Sequence, residues 1–338
     1  MKKFSIYPGI ILSICTLLVS SFFAEKVIRN ASFYKVDKTK IAEILDFNDR
    51  LLNITEAIPM VGDLLWNTKA AKYAELLTNA ENHYQEALYF GWIFSCIILF
   101  SCLLFYFIYH HTNKWFGLSF GLLTAALAFL VLGLFSPVLE LEAYKDNLSI
   151  RLEVDALELM STTEGIEQNA LVQSLGLDTY VAKGIKQLKK WIPSSSINFE
   201  KVYADRMYFF YQNKGIFDLV ETLWKKGNIP IALIIAAFSM VVPFIKLCAS
   251  FIFLFYSVKK NTRFRKVLAY FTKFSMLDVF VAATFVSYFS FSEINVGVET
   301  DSRVLVGLYF FSIYVLLAII SGLSLNKLIN NTNKKIQV

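Results

Sequence analysis

The sequence predicts an integral membrane α-helical protein, with six transmembrane helices and a mixed α/β extracytoplasmic region. Three observations predict it. The chain of 338 residues is 56% hydrophobic, with a mean hydropathy of +0.51. Six apolar runs are long enough to cross a membrane, since a hydrocarbon core of about 30 Å takes roughly 20 helical residues. The segments between the runs sort their charges by sign.

In order, the runs are Tyr7–Ala24, Leu88–His110, Trp115–Pro137, Ile229–Tyr256, Val267–Phe291 and Val304–Lys327. Lipid offers no partner to a free backbone N–H or C=O, so each run is expected to be a helix. Met1-Lys2-Lys3 before the first run also fits a secretory signal. Phe22 and Phe23 make a poor cleavage site before Ala24, so a retained anchor is expected.

Charge sets the orientation. Lys2, Lys3, Lys114, Lys259, Lys260, Arg263, Arg265, Lys266, Lys327, Lys334 and Lys335 fall in segments of one side, which hold no Asp or Glu. Of the 27 acidic residues, only Asp278 is not in a segment of the other side. Cationic loops stay in the cytoplasm, so both termini of a multi-pass protein are expected there. The net charge of +6 is a topology signal. Its scatter over short loops does not suggest nucleic acid as a partner.

Cys15, Cys96, Cys102 and Cys248 all lie in apolar runs, so the outer segments are expected to fold without disulfides. No C-x-x-C pair, phosphate loop, nucleophile elbow or metalloprotease motif occurs. No metal, cofactor or enzymatic activity is expected.

Two outer segments are too long to be simple loops. Residues 25–87 read as a helical hairpin: Ile41, Ile44, Leu45, Leu51, Leu52 and Ile54 recur near the helical period, and Pro59 and Gly62 break it. Residues 138–226 read as α+β. Val138–Tyr144 and Leu148–Leu159 alternate apolar and polar residues, the period of half-buried strands. On that reading Glu140 and Glu142 lie on a solvated strand face. Gly184–Ile192 reads as a basic helix, Asp205–Gln212 as an aromatic strand, and Gly215–Lys226 as a short helix running into the fourth span. The organisation is then an N-terminal membrane hairpin (1–113), a four-helix module carrying the 138–226 insertion (114–328), and a frayed cytoplasmic tail (329–338).

Lys246 and Asp278 are charged residues near the middle of consecutive runs. A charge at that depth costs at least a few kcal/mol, so it pairs or lines a polar path. In a helical hairpin each stands about 16 Å from the same membrane face, at about 1.5 Å per residue. Ser239 precedes Lys246 by two helical turns, and Ser275 precedes Asp278 by one. Their hydroxyls are placed to complete the pair's hydrogen bonding. Pro243 removes a backbone donor beside Lys246 and tends to kink the helix. Ser312 and Tyr309, with Tyr314, are candidate additional polar residues from the last span. One reading of the pair is a salt bridge that fixes helix register. The other is a proton-responsive centre, because burial lowers a lysine pKa and a carboxylate raises it again. Lys273 can snorkel to the surface. His110 and His111 read as a solvated helix end, and His83 as a lone outer residue.

Four motifs carry a family resemblance. They are Leu134-Phe-Ser-Pro-Val-Leu-Glu-Leu, the Gly215–Leu233 stretch, Phe238-Ser-Met-Val-Val-Pro-Phe-Ile-Lys-Leu, and Phe274-Ser-Met-Leu-Asp-Val-Phe-Val. In this order they resemble the paraquat-inducible protein A family of bacterial inner-membrane proteins, over about Trp115 to Lys327. The resemblance implies that 114–328 is a single paraquat-inducible protein A-like module. Ser239, Lys246, Ser275 and Asp278 match the family's intramembrane polar cluster. It also implies lipid transport in the cell envelope. A phospholipid-like molecule would pass between the inner membrane and a periplasmic partner of the mammalian-cell-entry (MCE) domain type. The chain departs from the family's pattern: it has no cysteine-rich zinc ribbons and no second tandem module, and it adds an N-terminal hairpin over about residues 1–113 and a large insertion in the module's first outer loop. A secondary transporter of a small solute and a non-transporting scaffold of an envelope complex are the alternatives.

Overall fold

The computed structural model describes residues 7–51, 61–154, 197–256 and 298–334. Among them, five helices are long and apolar enough to cross a membrane: Tyr7–Ile44, Lys69–His111, Lys114–Phe135, Ile229–Leu254 and Val306–Leu328. The protein is an α-helical, multi-pass membrane protein with a small α/β region. Three expectations lie outside the described residues: the Val267–Phe291 run, the Gly184–Ile192 helix and Pro59.

The first span and the outer helix after it form one element, α1 (Tyr7–Ile44). No Gly or Pro interrupts the chain between Gly9 and Ile44. Its length is about 57 Å at about 1.5 Å per residue. That exceeds the roughly 30 Å hydrocarbon core, so its second half stands clear of the bilayer. The short helix α2 (Phe47–Leu51) follows, with Asp46 Oδ1 accepting the N–H groups of Asn48 (2.8 Å) and Asp49 (3.2 Å). Helix α3 (Val61–Phe135) then holds two spans, Lys69–His111 and Lys114–Phe135. Gly62, expected as a breaker, sits in its first turn.

The two legs of α3 fold back on each other. A Cβ on Gly117 would stand 2.5 Å from the Phe105 carbonyl oxygen, so only glycine allows this approach. The Phe105 and Phe120 rings are 5.3 Å apart, and Cys102 Sγ donates to the Gly121 carbonyl. α1 runs along both legs. The Tyr34 and Tyr84 rings meet at 5.2 Å, and Ser13 Oγ lies 3.0 Å from Thr124 Oγ1 inside the bundle. The first two spans therefore continue as unbroken helices beyond their apolar runs and pack on each other there.

The chain leaves α3 directly into strand β1 (Pro137–Asp146). A three-stranded antiparallel sheet places β1 in the centre, between β4 (Arg206–Gly215) and β5 (Glu299–Val304). A second, two-stranded sheet pairs β2 (Ser149–Val154) with β3 (Ile197–Val202). The alternation in 138–144 predicted β1, and that in 148–159 predicted β2, whose described part ends at Val154. β5 was not foreseen, because Glu299-Thr-Asp-Ser-Arg-Val offers no run of alternating apolar residues.

Helix α4 (Ile216–Lys225) follows β4 at the sheet end of the bundle. It does not run on into the next span. The Gly227 N–H donates to Trp224 O (3.1 Å) and the Asn228 N–H to Leu223 O (3.0 Å), with Gly227 at φ +79. This is a Schellman turn, which ends one helix in a left-handed residue and redirects the chain. The Ile229–Leu254 span begins after it, as helix α5 (Ile229–Ala236), a π-turn (Ala237–Val241) and helix α6 (Val242–Tyr256). Helix α7 (Val306–Lys334) closes the described chain and carries the tail, expected to fray, in helical form as far as Lys334.

α7 crosses α3 closely. A Cβ on Gly133 would stand 2.8 Å from the Phe311 backbone nitrogen. Phe94, Phe129 and Phe310 form an aromatic core there, with centroids 5.2 to 6.2 Å apart. Ser119 and Ser324 hydrogen-bond across the same pair of helices at 2.8 Å.

Candidate functional site

Two polar centres stand out, one within a span and one above it. The first is the buried face of the Ile229–Leu254 span. Ala232, Ser239, Pro243, Lys246 and Leu247 are buried there, at spacings of one and two helical turns. Ser239 and Lys246 thus share a face, as their spacing required. Lys246 is 6% exposed and Ser239 1%. Among the described residues, Ser239 Oγ has no hydrogen-bond partner.

The helix around them is locally widened. The Val242 N–H donates to Ala237 O, five residues back, which defines the π-turn. Pro243 accounts for its position. A proline ring clashes with the carbonyl four residues earlier, and here that residue is Ser239. One extra residue in the turn relieves the clash. π-turns of this kind concentrate at functional sites, because they aim side chains that a regular helix would turn away.

The partners read from the sequence divide. Asp278 and Ser275 lie outside the described residues. Ser312 and Tyr309 lie on an exposed part of α7, whereas Tyr314 on the same helix is buried. The span is held to the bundle through Phe251, whose ring meets Phe120 edge-on at 5.7 Å. His110 and His111 are exposed, as expected of a helix end. His83 is less isolated than its sequence context implied. Its ring lies 5.2 Å from Phe33, and its Nε2 is 3.8 Å from Asp37.

The second centre lies on the central strand of the three-stranded sheet. Glu140 and Glu142 were expected on a solvated strand face, yet Glu140 is 1% exposed and Glu142 is also buried. Alternation tells which residues share a face, but not whether that face meets water. Here α1 covers it. Glu140 accepts hydrogen bonds from the Tyr34 hydroxyl and, at 2.9 Å, from the Tyr211 hydroxyl. The Lys38 ammonium lies 2.8 Å from Glu142 and 3.4 Å from Glu140. Arg206 Nη1 donates to Glu142 (3.1 Å), as does the Tyr208 hydroxyl (3.3 Å). Arg303, the cross-strand neighbour of Glu140 on β5, sets its guanidinium 4.4 Å from the Tyr84 ring centroid. The sequence signal available was Lys38 itself, a cation on an otherwise packed helix face.

The carboxylates carry opposite electrostatic records. Burial pushes the Glu140 pKa up, and Lys38 with the tyrosine hydrogen bonds offsets this only in part. Burial also lifts the Tyr208 hydroxyl, to about 12. At Asp218 burial is outweighed by hydrogen bonds from Lys35 (2.7 Å) and the Gly215 N–H (2.9 Å). Its carboxyl is held below the usual range.

A second tie binds the tip of the outer hairpin to the sheets. Arg50 is buried, with its guanidinium 4.1 Å from the Trp66 ring centroid and 5.5 Å from that of Tyr203. It donates to the carbonyls of Ala204 (3.3 Å) and Arg206 (3.5 Å). The Tyr208 N–H donates to Leu45 O at 2.8 Å. Hairpin and sheets are thereby joined at two levels.

A protein-family model described as Paraquat-inducible protein A matches residues 198–328. The match opens in β3. It takes in β4, α4, the span with Ser239, Pro243 and Lys246, and the α7 span. The earlier part of the resemblance read from the sequence, from Trp115, lies outside it. No curated protein and no solved structure matches the chain.

Proposed function

We propose, from the premise that residues 198–328 form a paraquat-inducible protein A family region, that the chain is an inner-membrane component of a lipid transport system. It would hand phospholipid-like molecules between that membrane and a periplasmic partner of the MCE-domain type. The observation that carries this reading is the buried polar face at mid-span. A lysine held in a bilayer away from solvent is costly, and it is retained where its charge is used. Lys246 sits about one turn from the π-turn, in which Ser239 Oγ has no partner among the described residues. Asp278, at matching depth in the sequence, is the proposed counter-ion. A change of protonation in this pair would alter its attraction, and the widened turn is the place where the helix can yield.

The positive-inside distribution supports cytoplasmic termini, with the sheets on the periplasmic side. The protein is proposed to act without enzymatic chemistry or a cofactor. Energy for movement would come from the proton gradient, a partner or the lipid gradient.

A scaffold reading is favoured by one observation. The Lys38 and Arg50 ties hold the N-terminal helices to the sheets without involving the membrane centre. Lys246→Met, Asp278→Asn and the double variant separate the two readings. Transfer of a fluorescent phosphatidylethanolamine from proteoliposomes, and lipids co-purifying by mass spectrometry, are compared with the native chain at equal abundance. Loss of transfer in the single variants supports the transport reading. Normal behaviour of all three would leave the scaffold. Uptake of a small solute without lipid transfer would favour a permease.

A further inference from the structure

We infer that α4 is a membrane-surface helix, with Phe217, Val220 and Trp224 immersed in the headgroup and acyl boundary of the leaflet on the sheet side. This inference stands independently of the transport reading. Around α4 the apolar residues Ile216, Phe217, Leu219, Val220, Leu223 and Trp224 fill one continuous arc, and Asp218, Glu221, Thr222 and Lys225 fill the rest. Only part of the apolar arc is used inside the protein. Ile216 is buried, but Phe217 is 49% exposed and Trp224 55%. Phe217, Val220 and Trp224 recur at i, i+3 and i+7, so the outward part is a stripe along the helix.

The position of that stripe identifies what covers it. Phe135 ends the Lys114–Phe135 span at the sheet side, and its exposed ring stacks on that of Phe217 at 6.2 Å. At its other end, α4 is followed by the Schellman turn and then by the Ile229–Leu254 span. The helix thus connects the outer end of one span with the outer end of another. Both of its ends are at the level where the bilayer meets water. Trp at this level, with its ring amphipathic, is the usual interfacial anchor.

The polar arc is placed as an in-plane helix requires. Asp218 pairs with Lys35 of α1 and receives the Gly215 N–H. Thr222 accepts from Lys214 (3.1 Å), and Glu221 pairs with Lys225 (2.6 Å). Lys225 and Lys226 are exposed beside Trp224, where their stems can lie on apolar surface and their ammonium groups reach lipid phosphates. An amphipathic helix with cations flanking an aromatic stripe is built for a phospholipid surface. Through Asp218 it is fastened to both the sheet and the N-terminal hairpin, so the outer platform rests on the bilayer at a fixed height.

The full-length protein in phosphatidylethanolamine and phosphatidylglycerol vesicles tests this. Nitroxide labels are placed singly at 217, 220, 221, 224 and 225, after the four native cysteines are replaced. Collision with oxygen should exceed collision with a water-soluble nickel chelate at 217, 220 and 224, and the order should reverse at 221 and 225. Equal nickel access at all five positions, or shielding of 217, 220 and 224 from both reagents, overturns the proposal. The second result would mean that protein covers the stripe. The native chain gives an independent readout. Brominated phospholipids should quench Trp224, so Trp224→Phe should remove part of the quenchable emission. Unchanged quenching in that variant overturns the proposal as well.

Discussion

The Lys38 ammonium of the N-terminal hairpin lies 2.8 Å from the Glu142 carboxylate of the central strand. The two residues are 104 apart in the chain. Their contact ties the N-terminal hairpin to the region in which the family match lies, because β1 is the neighbour of β4. It also places cations against two carboxylates that would otherwise be buried as like charges. Removing one partner of such a group leaves an uncompensated charge, which costs more than the pair itself contributes.

Lys38→Met should therefore destabilise the protein by about 3 kcal/mol, the lower end for breaking a buried pair, because Arg206 still serves Glu142. Adding Glu142→Gln should recover part of the loss. Unfolding of purified single and double variants in detergent measures this. Additive losses would mean that the two groups are not coupled.

Stability should depend on pH in two opposing limbs. The Glu140 pKa is raised in the fold, so the folded state binds a proton more readily than the unfolded chain. Its burial cost is full above the folded pKa and is relieved as pH falls through that value towards 4.5. The Asp218 pKa is lowered, so its contribution is full above 3.8 and is lost as pH falls through the folded value. Thermal unfolding across this range should rise and then fall on acidification. Glu140→Gln should flatten the rise and Asp218→Asn the fall. An unaltered profile in either variant would refute its assignment.

Pro243→Ala should return a backbone donor and remove the ring that clashes at Ser239. The π-turn should relax towards regular helix, and the helix should become more stable by up to about 3 kcal/mol on the scale of soluble helices. Lipid transfer should fall while abundance holds. Hydrogen exchange at residues 237–243 reads the first effect and vesicle transfer the second. Full transfer with a straightened helix would remove the π-turn from the mechanism.

Gly133→Ala should cost about 1 to 3 kcal/mol, the usual penalty for overfilling a packed interface. The new methyl would meet the Phe311 backbone, which has no side-chain freedom with which to yield. A thermal shift of the purified variant measures it. The same change at Gly227 tests a different property. Its φ of +79 is strained for alanine although nothing crowds the site.

The five described spans were legible because hydrophobic length is a local property, and lipid leaves a long apolar run little choice but a helix. Ser239 and Lys246 were legible as one buried face because the helical period relates them without outside information. Gly215–Lys226 was legible as a helix. Its separation from the span was not read, although Gly227-Asn228 carried the signal of a C-terminal turn. The π-turn was not legible either, because a proline by itself signals only a kink.

The sequence by itself determined a multi-pass helical membrane protein with strands beside its spans, because hydrophobicity and period act within a few residues. Only the tertiary structure decided that Glu140 and Glu142 are buried, that Lys38 and Arg206 meet them, and that a polar hexapeptide completes the sheet. Those outcomes depend on which distant element covers a face. A strand's alternation is the same whether that face meets water or another helix.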